Sequence, residues 1–284
     1  MKDQDAVAQS PRFKVELGCG PTKNAGFVGI DRFALSGVDI VCDLGRGVPL
    51  ANDCVDALLS VHSLEHFPDL PAIMGEIYRV CRDRAVVTIV APYAETRLNQ
   101  ANPYHVQTIN EHTPRFFTAD PESPFGMGAY TFPLTTMWGL SGSDHSEHAM
   151  DFRLIGEEYH YMPPYRRFPE EVKRVLRQSL SDVCDNVVFH LLVVKSPIGR
   201  EEIETYRNGP MPEVAGVAYR RSFESDANAG NILTEIVEAP SQVAALHKRV
   251  VMLEAQLAEM AAVMEALALR TMERLEQGEC GNSE

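Results

Sequence analysis

Two carboxylates, a glycine pair and a histidine stand where successive apolar runs of the chain stop. Phe13–Leu17 ends at Gly18-Cys19-Gly20, Phe27–Ile30 at Asp31, Val38–Cys42 at Asp43, and Val55–Val61 at His62. A Gly-x-Gly turn lets backbone approach a ligand closely, because no Cβ intervenes. A carboxylate at the next strand end can accept hydrogen bonds from both hydroxyls of a ribose. Asp43 can accept from an exocyclic adenine amine while Leu44 packs on the base. These residue types in this order predict a nucleoside site.

The dinucleotide fingerprint does not fit. It needs G-x-G-x-x-G with its acid about 20 residues on, whereas here Lys23 replaces the third glycine and Asp31 follows Gly18 by 13 residues. A pyrophosphate also wants a helix N-terminus. The nine residues between Leu17 and Phe27 leave room for a turn of helix at most. NAD and FAD are therefore disfavoured, and a nucleoside without a pyrophosphate is expected.

Nine histidines offer proton-transfer chemistry. His105, in Asn102-Pro103-Tyr104-His105-Val106, and His112 follow the apolar run Val86–Ala91, on a loop expected to roof the site. A positioned histidine is the commonest general base. His105 is the first candidate for a catalytic role and His66 the second. His62, Glu65 and His66 also have the spacing of ligands on one helical face, and His105 or His112 could complete a metal set. The residue pattern assigns no metal, because Glu65-His66 at a helix start also packs and caps in the ordinary way.

The elements that must position these residues follow from patterning. Continuous apolar runs imply strands covered on both faces, hence an α/β fold with a parallel sheet. After Pro68, Ile73, Ile77, Val80 and Cys81 recur at helical spacing, predicting a helix to about Arg82. Phe152–Tyr161 and Val187–Val194 read as two more strands flanking a helix from about Pro169 to Leu180. The stretch Pro121–Asp144 is rich in Gly, Pro, Phe and Met and holds the sole tryptophan, Trp138; it reads as part of a lid or acceptor pocket spanning about 93–150.

The chain has 284 residues, 45% of them hydrophobic, and a formal charge of −14. That composition excludes disorder along the whole length. The charge and the absence of a basic cluster free of acids disfavour nucleic acid as a partner. No stretch approaches the roughly 18 apolar residues that span a bilayer. With a polar start and six cysteines scattered without CxxC spacing, a cytoplasmic protein with reduced thiols is expected.

Taken together, the residues resemble a class I S-adenosylmethionine-dependent methyltransferase of the type 11 sort. The resemblance runs from about Phe13 to Pro92 and more faintly to Lys195. It is carried by Glu16-Leu17-Gly18-Cys19-Gly20, Asp31, Asp43-Leu44, Asp56-Ala57-Leu58-Leu59-Ser60, His62-Ser63-Leu64-Glu65-His66 and Glu76-Ile77-Tyr78-Arg79-Val80. It implies a Rossmann-like sheet of seven mostly parallel strands with one antiparallel strand near its edge. S-adenosylmethionine would be held by Glu16, Gly18, Cys19, Gly20, Asp31, Arg32, Asp43, Leu44 and His62, with the turn at 60–62 lining the sulfonium. The acceptor would be an oxygen of a small molecule or glycan; a degenerate methyltransferase fold serving as a scaffold is the alternative. Arg82-Asp83-Arg84 departs from the pattern, standing where a Pro-Gly-Gly turn is common.

These readings divide the chain into a methyltransferase domain at 1–197, a linker at 198–240 and a coiled coil at 241–277. The linker is suggested by Gly, Pro and acidic residues with few large apolar side chains. In the last segment Val243, Leu246, Val250, Leu253, Leu257, Met260, Met264 and Leu267 alternate steps of three and four. That repeat specifies a coiled coil, expected to join copies of the chain into a homo-oligomer.

Overall fold

The computed structural model describes residues 13–120 and 150–224, together with Met252. The coiled-coil segment apart from Met252, and residues 121–149 of the expected lid, with Trp138, lie outside the described residues. Contacts divide the chain into units at 1–226 and 227–284, and the sheet with its helices belongs to the first.

Seven strands form one sheet: β1 (Phe13–Leu17), β2 (Val28–Asp31), β3 (Ile40–Val41), β4 (Val55–Val61), β5 (Cys81–Pro92), β6 (Phe152–Tyr161) and β7 (Cys184–Val193). Their order is β3-β2-β1-β4-β5-β7-β6. All neighbouring pairs are parallel except those made by β7, which runs antiparallel to β5 and β6. This seven-stranded mixed sheet fits a Rossmann-like methyltransferase fold. Five helices accompany it among the described residues: α1 (Leu70–Val80), α2 (Arg97–Ala101), α3 (Glu170–Ser179), α4 (Arg200–Arg207) and α5 (Ala215–Glu224).

Alternation along the strands divides the core between the two faces. Leu17, Leu58, Val87, Phe189 and Leu191 join Leu70, Ile73, Met74, Ile77 and Val80 of α1 in the main cluster. Asp69 caps α1 by accepting from Ala72 N at 2.9 Å, and Pro71 suits its first turn. The helix stops at Val80, two residues short of the expected Arg82, because β5 begins directly at Cys81.

The other face shows what the short crossovers cost. No α-helix separates β1 from β2, β2 from β3, or β3 from β4, so Leu59, Val90 and Val188 have no crossover helix above them. Val214 and Val217, at the start of α5, cover them with Phe27 and Val61 at the margin. Beside them, Ile203 of α4 packs on Ile155, Leu192 and Val194. Residues 200–224 are therefore not the linker that composition suggested. Their few apolar residues are spaced to make a narrow stripe, and a narrow stripe suffices on a sheet lacking its usual helices.

Arg84 takes φ 68°, the left-handed conformation that glycine adopts without strain. Its guanidinium donates to Glu202 Oε1 (2.6 Å), Asp83 Oδ1 (2.6 Å), Ser196 O (3.2 Å) and Pro197 O (2.9 Å). These bonds hold the arginine in a left-handed bend within β5, at a position where the resemblance implies glycine.

Candidate active site

Strand register aligns the carboxyl ends. Leu17 pairs with Ile30 on one side and Ser60 on the other, Ser60 pairs with Ile89, and Asp31 pairs with Val41. The residues just past these positions, Gly18–Gly20, Arg32, Asp43 and His62, consequently share one edge of the sheet, where open α/β folds bind ligands.

The glycine turn is tightly built. Gly18 and Gly20 have φ of 65° and 57°, and Gly18 N donates to Ile30 O at 2.8 Å. A Cβ on Gly18 would stand 2.1 Å from Ser63 Oγ. The turn therefore needs glycine both for its backbone angle and for the close approach of the β4 loop. Cys19 is buried, its thiol pushed up to about 11 chiefly by burial and then by Glu16 and Asp31, so it packs rather than reacts.

Glu16 is 2% exposed. Its Oε2 accepts from Asn24 N at 2.6 Å and its Oε1 from Asn24 Nδ2 at 3.1 Å, which braces the helix-free crossover. Asp31 Oδ2 accepts from Gly20 N at 3.0 Å and Oδ1 from Phe33 N at 2.9 Å. Each carboxylate oxygen has a further lone pair, so the side chain that shapes the glycine turn keeps acceptor capacity for a ribose. Arg32 stacks on Phe33, 4.5 Å from the ring centroid. Asp43 caps the 3-10 turn Leu44–Arg46, accepting from Gly45 N at 3.1 Å, while Leu44 is buried.

His62 takes φ 49°, a left-handed conformation that is strained for a residue with a Cβ and is characteristic of functional turns. The turn it opens leads into the 3-10 segment Leu64–His66. The loop after β5 is laced onto that segment: Val106 N and Gln107 N donate to Glu65 O at 2.8 and 3.1 Å, and Gln107 Nε2 donates to Phe67 O at 2.9 Å. Glu65, His66 and His105 are thereby drawn together, one ligand-type atom of each within 4.8 Å of the others. The His66 and His105 rings meet edge to face at 4.8 Å. Burial is the main cause of the lowered pKa of His105, with Glu65 opposing it. His112 lies outside this cluster; its pKa is also lowered, mainly by burial.

Residues 24–89 match the family of the methyltransferase domain. The match supports a class I methyltransferase and S-adenosylmethionine as its cofactor. It starts after the Glu16–Gly20 turn. Among solved structures, the chain is similar to the YcgJ protein of Bacillus subtilis, with 11% identity and a TM-score of 0.39, covering 66% of this chain and 92% of that one. It is likewise similar to a SAM-dependent methyltransferase of Archaeoglobus fulgidus, with 14% identity and a TM-score of 0.38, covering 64% of this chain and 86% of that one. Among curated proteins no relative matches. No helix among the described residues is long and apolar enough to cross a membrane.

Sequence reasoning passed over three residues that build the site. Asn24 ties down Glu16, Ser63 fills the space above Gly18, and Asn99 accepts from the His105 ring. Ser63 meets Gly18 across 45 positions, while the Asn24–Glu16 and Asn99–His105 contacts span 8 and 6 positions in loops that carry no periodic pattern.

Proposed function

We propose that this chain transfers the methyl group of S-adenosylmethionine to an oxygen of a small molecule or glycan. The observation that supports the reading best is the shared strand edge, with the Gly18–Gly20 turn and Asp31 at one end and the His66–His105 pair across the β4 and β5 loops. The cofactor supplies an electrophilic methyl on a sulfonium, displaced in line by the acceptor. The protein's part is to align donor and acceptor and to keep water from competing.

In this reading Glu16, Gly18, Cys19 and Gly20 form the cradle for the methionine part. Asp31 and Arg32 flank the ribose, Asp43 and Leu44 the adenine, and His62 the sulfonium side. His105, with His66 beside it, takes up the proton of the acceptor hydroxyl. The loop after β5 would form the inner wall of the acceptor pocket, and the coiled coil at 241–277 would join copies of the chain in the cytoplasm, an arrangement that light scattering on the full chain tests.

Calorimetric titration with S-adenosylmethionine and S-adenosylhomocysteine tests the central claim. Saturable binding by the full chain is expected, lost or weakened at least tenfold in Asp31→Ala. Absence of binding by the folded protein defeats the reading.

A further inference from the structure

Glu65 is 1% exposed, and neither carboxylate oxygen has a hydrogen-bond partner among the described residues. His62 Nδ1 stands 3.7 Å from Oε1, forming an ion pair only when that imidazole is protonated. A carboxylate out of water without a hydrogen bond is strongly disfavoured. Buried charges of this kind are stabilised by pairing or by coordinating a metal.

The two histidines facing Glu65 have the orientation of ligands. His66 Nδ1 lies 2.9 Å from Tyr104 O. A backbone carbonyl only accepts, so Nδ1 carries the proton and Nε2 the lone pair. His105 Nδ1 lies 2.6 Å from Asn99 Oδ1. The Asn99 amide is itself oriented by Nδ2 donating to Tyr93 O at 3.3 Å, so its oxygen faces the ring and His105 likewise donates through Nδ1. Metal-binding histidines are held in this way, one ring N–H on an oxygen acceptor and the other nitrogen left to the ion.

We infer that Glu65, His66 and His105 bind a divalent transition-metal ion through one carboxylate oxygen and the two Nε2 atoms. Bonds of about 2.0–2.2 Å would bring the ligand atoms to roughly 3–4 Å from one another, a modest closing of the 4.8 Å cluster by side-chain rotation. Two imidazoles and a carboxylate suit zinc, manganese or ferrous iron over calcium or magnesium. Three protein ligands leave positions open, as in catalytic rather than structural sites. His62, whose side chain is 46% exposed, stands beside Glu65 within reach of a fourth position.

The inference deepens the methyl-transfer reading and rests on it for its chemical role. A bound ion would acidify an acceptor hydroxyl coordinated to it, whose proton would pass to solvent water, with His105 then holding the ion in place of acting as a free base. Asn99 is in either case a positioning residue.

The test is calorimetric titration of chelator-treated full chain with zinc chloride, with cobalt(II) absorption as a second probe and S-adenosylhomocysteine titrated in parallel. One ion per chain is expected. Glu65→Gln, which keeps the side-chain shape, and His105→Ala should each weaken binding about a hundredfold. Asn99→Ala should weaken it about 10- to 100-fold, the range for groups that orient ligands. His112→Ala should bind as the parent does. The inference is overturned if no stoichiometric ion binds, or if Glu65→Gln and His105→Ala, shown folded by circular dichroism, bind it undiminished. Ion binding without S-adenosylhomocysteine binding would sustain the metal site and defeat the methyl-transfer reading; the reverse result would do the opposite.

Discussion

Asn24 and Glu16 form a two-point contact, the asparagine's backbone N–H and side-chain amide each donating to one oxygen of the buried carboxylate. The same asparagine also accepts, through Oδ1, from Ala215 N at 2.8 Å. One side chain thus joins the end of β1 to the amino end of α5, nearly 200 residues away. Asn24→Ala removes one partner of a buried charge and one helix-end bond, for an expected loss of about 1–3 kcal/mol. Urea denaturation should show this as a lower midpoint at unchanged slope; an unchanged midpoint would mean that the contact contributes nothing to stability.

The glycine turn makes a sharper prediction. Alanine at Gly18 would meet Ser63 Oγ at 2.1 Å and Ser63 Cβ at 2.6 Å, on a backbone with φ 65°. Strain and collision together should cost about 1–3 kcal/mol and displace the turn, with S-adenosylhomocysteine binding reduced at least tenfold. Ser63→Gly combined with Gly18→Ala removes the collision but not the backbone strain, so binding should return only in part. Full binding by the single variant would show that the turn does not touch the ligand.

Helix α5 stands in for the crossover helices that this sheet lacks. Val217→Ala deletes two buried methyl groups over Leu59, Val90 and Val188, at about 0.8 kcal/mol each plus a cavity contribution, so about 1–2 kcal/mol is expected. Removing the chain from Glu213 onward takes away both Val214 and Val217, and should uncover that face and raise binding of a hydrophobic dye such as ANS. A truncated chain that melts like the parent and binds no dye would refute the assignment.

Stability should also depend on pH through His190. This residue is 7% exposed, and Nδ1 lies 2.9 Å from Thr88 Oγ1. Burial lowers its pKa below 6.5, with Glu158 opposing the shift, Arg221 adding to it and Glu213 opposing it. The folded protein then binds fewer protons than the unfolded chain as pH falls through 6.5. Stability from this source is full above that value and declines below it, down to the folded-state pKa. Urea midpoints between pH 8 and pH 5 should fall with acid, and His190→Gln should flatten the curve; an equally steep curve in the variant would assign the effect to other groups.

The amino-acid sequence alone determined where the strands end and which polar groups stand there. Each apolar run is closed by a glycine, an acid or a histidine, and burial forces apolar runs into the sheet whatever the rest of the chain does. Strands β1, β2 and β4 therefore lie within a residue or two of their expected positions, and Asp31 and His62 sit at strand ends. The short first crossover was legible too, since nine residues cannot hold a long helix.

Tertiary structure decided what those groups meet. Glu65 and His105 are 40 positions apart, and bonds between their loops, among them those from Val106 and Gln107 to Glu65 O, bring their side chains together. The same holds for residues 200–224, polar enough to read as a linker until a sheet face without a helix gives Val214 and Val217 something to cover. Local patterning records which face of an element is apolar. It does not record the distant surface that face is pressed against, because that choice depends on which surfaces the rest of the fold leaves bare.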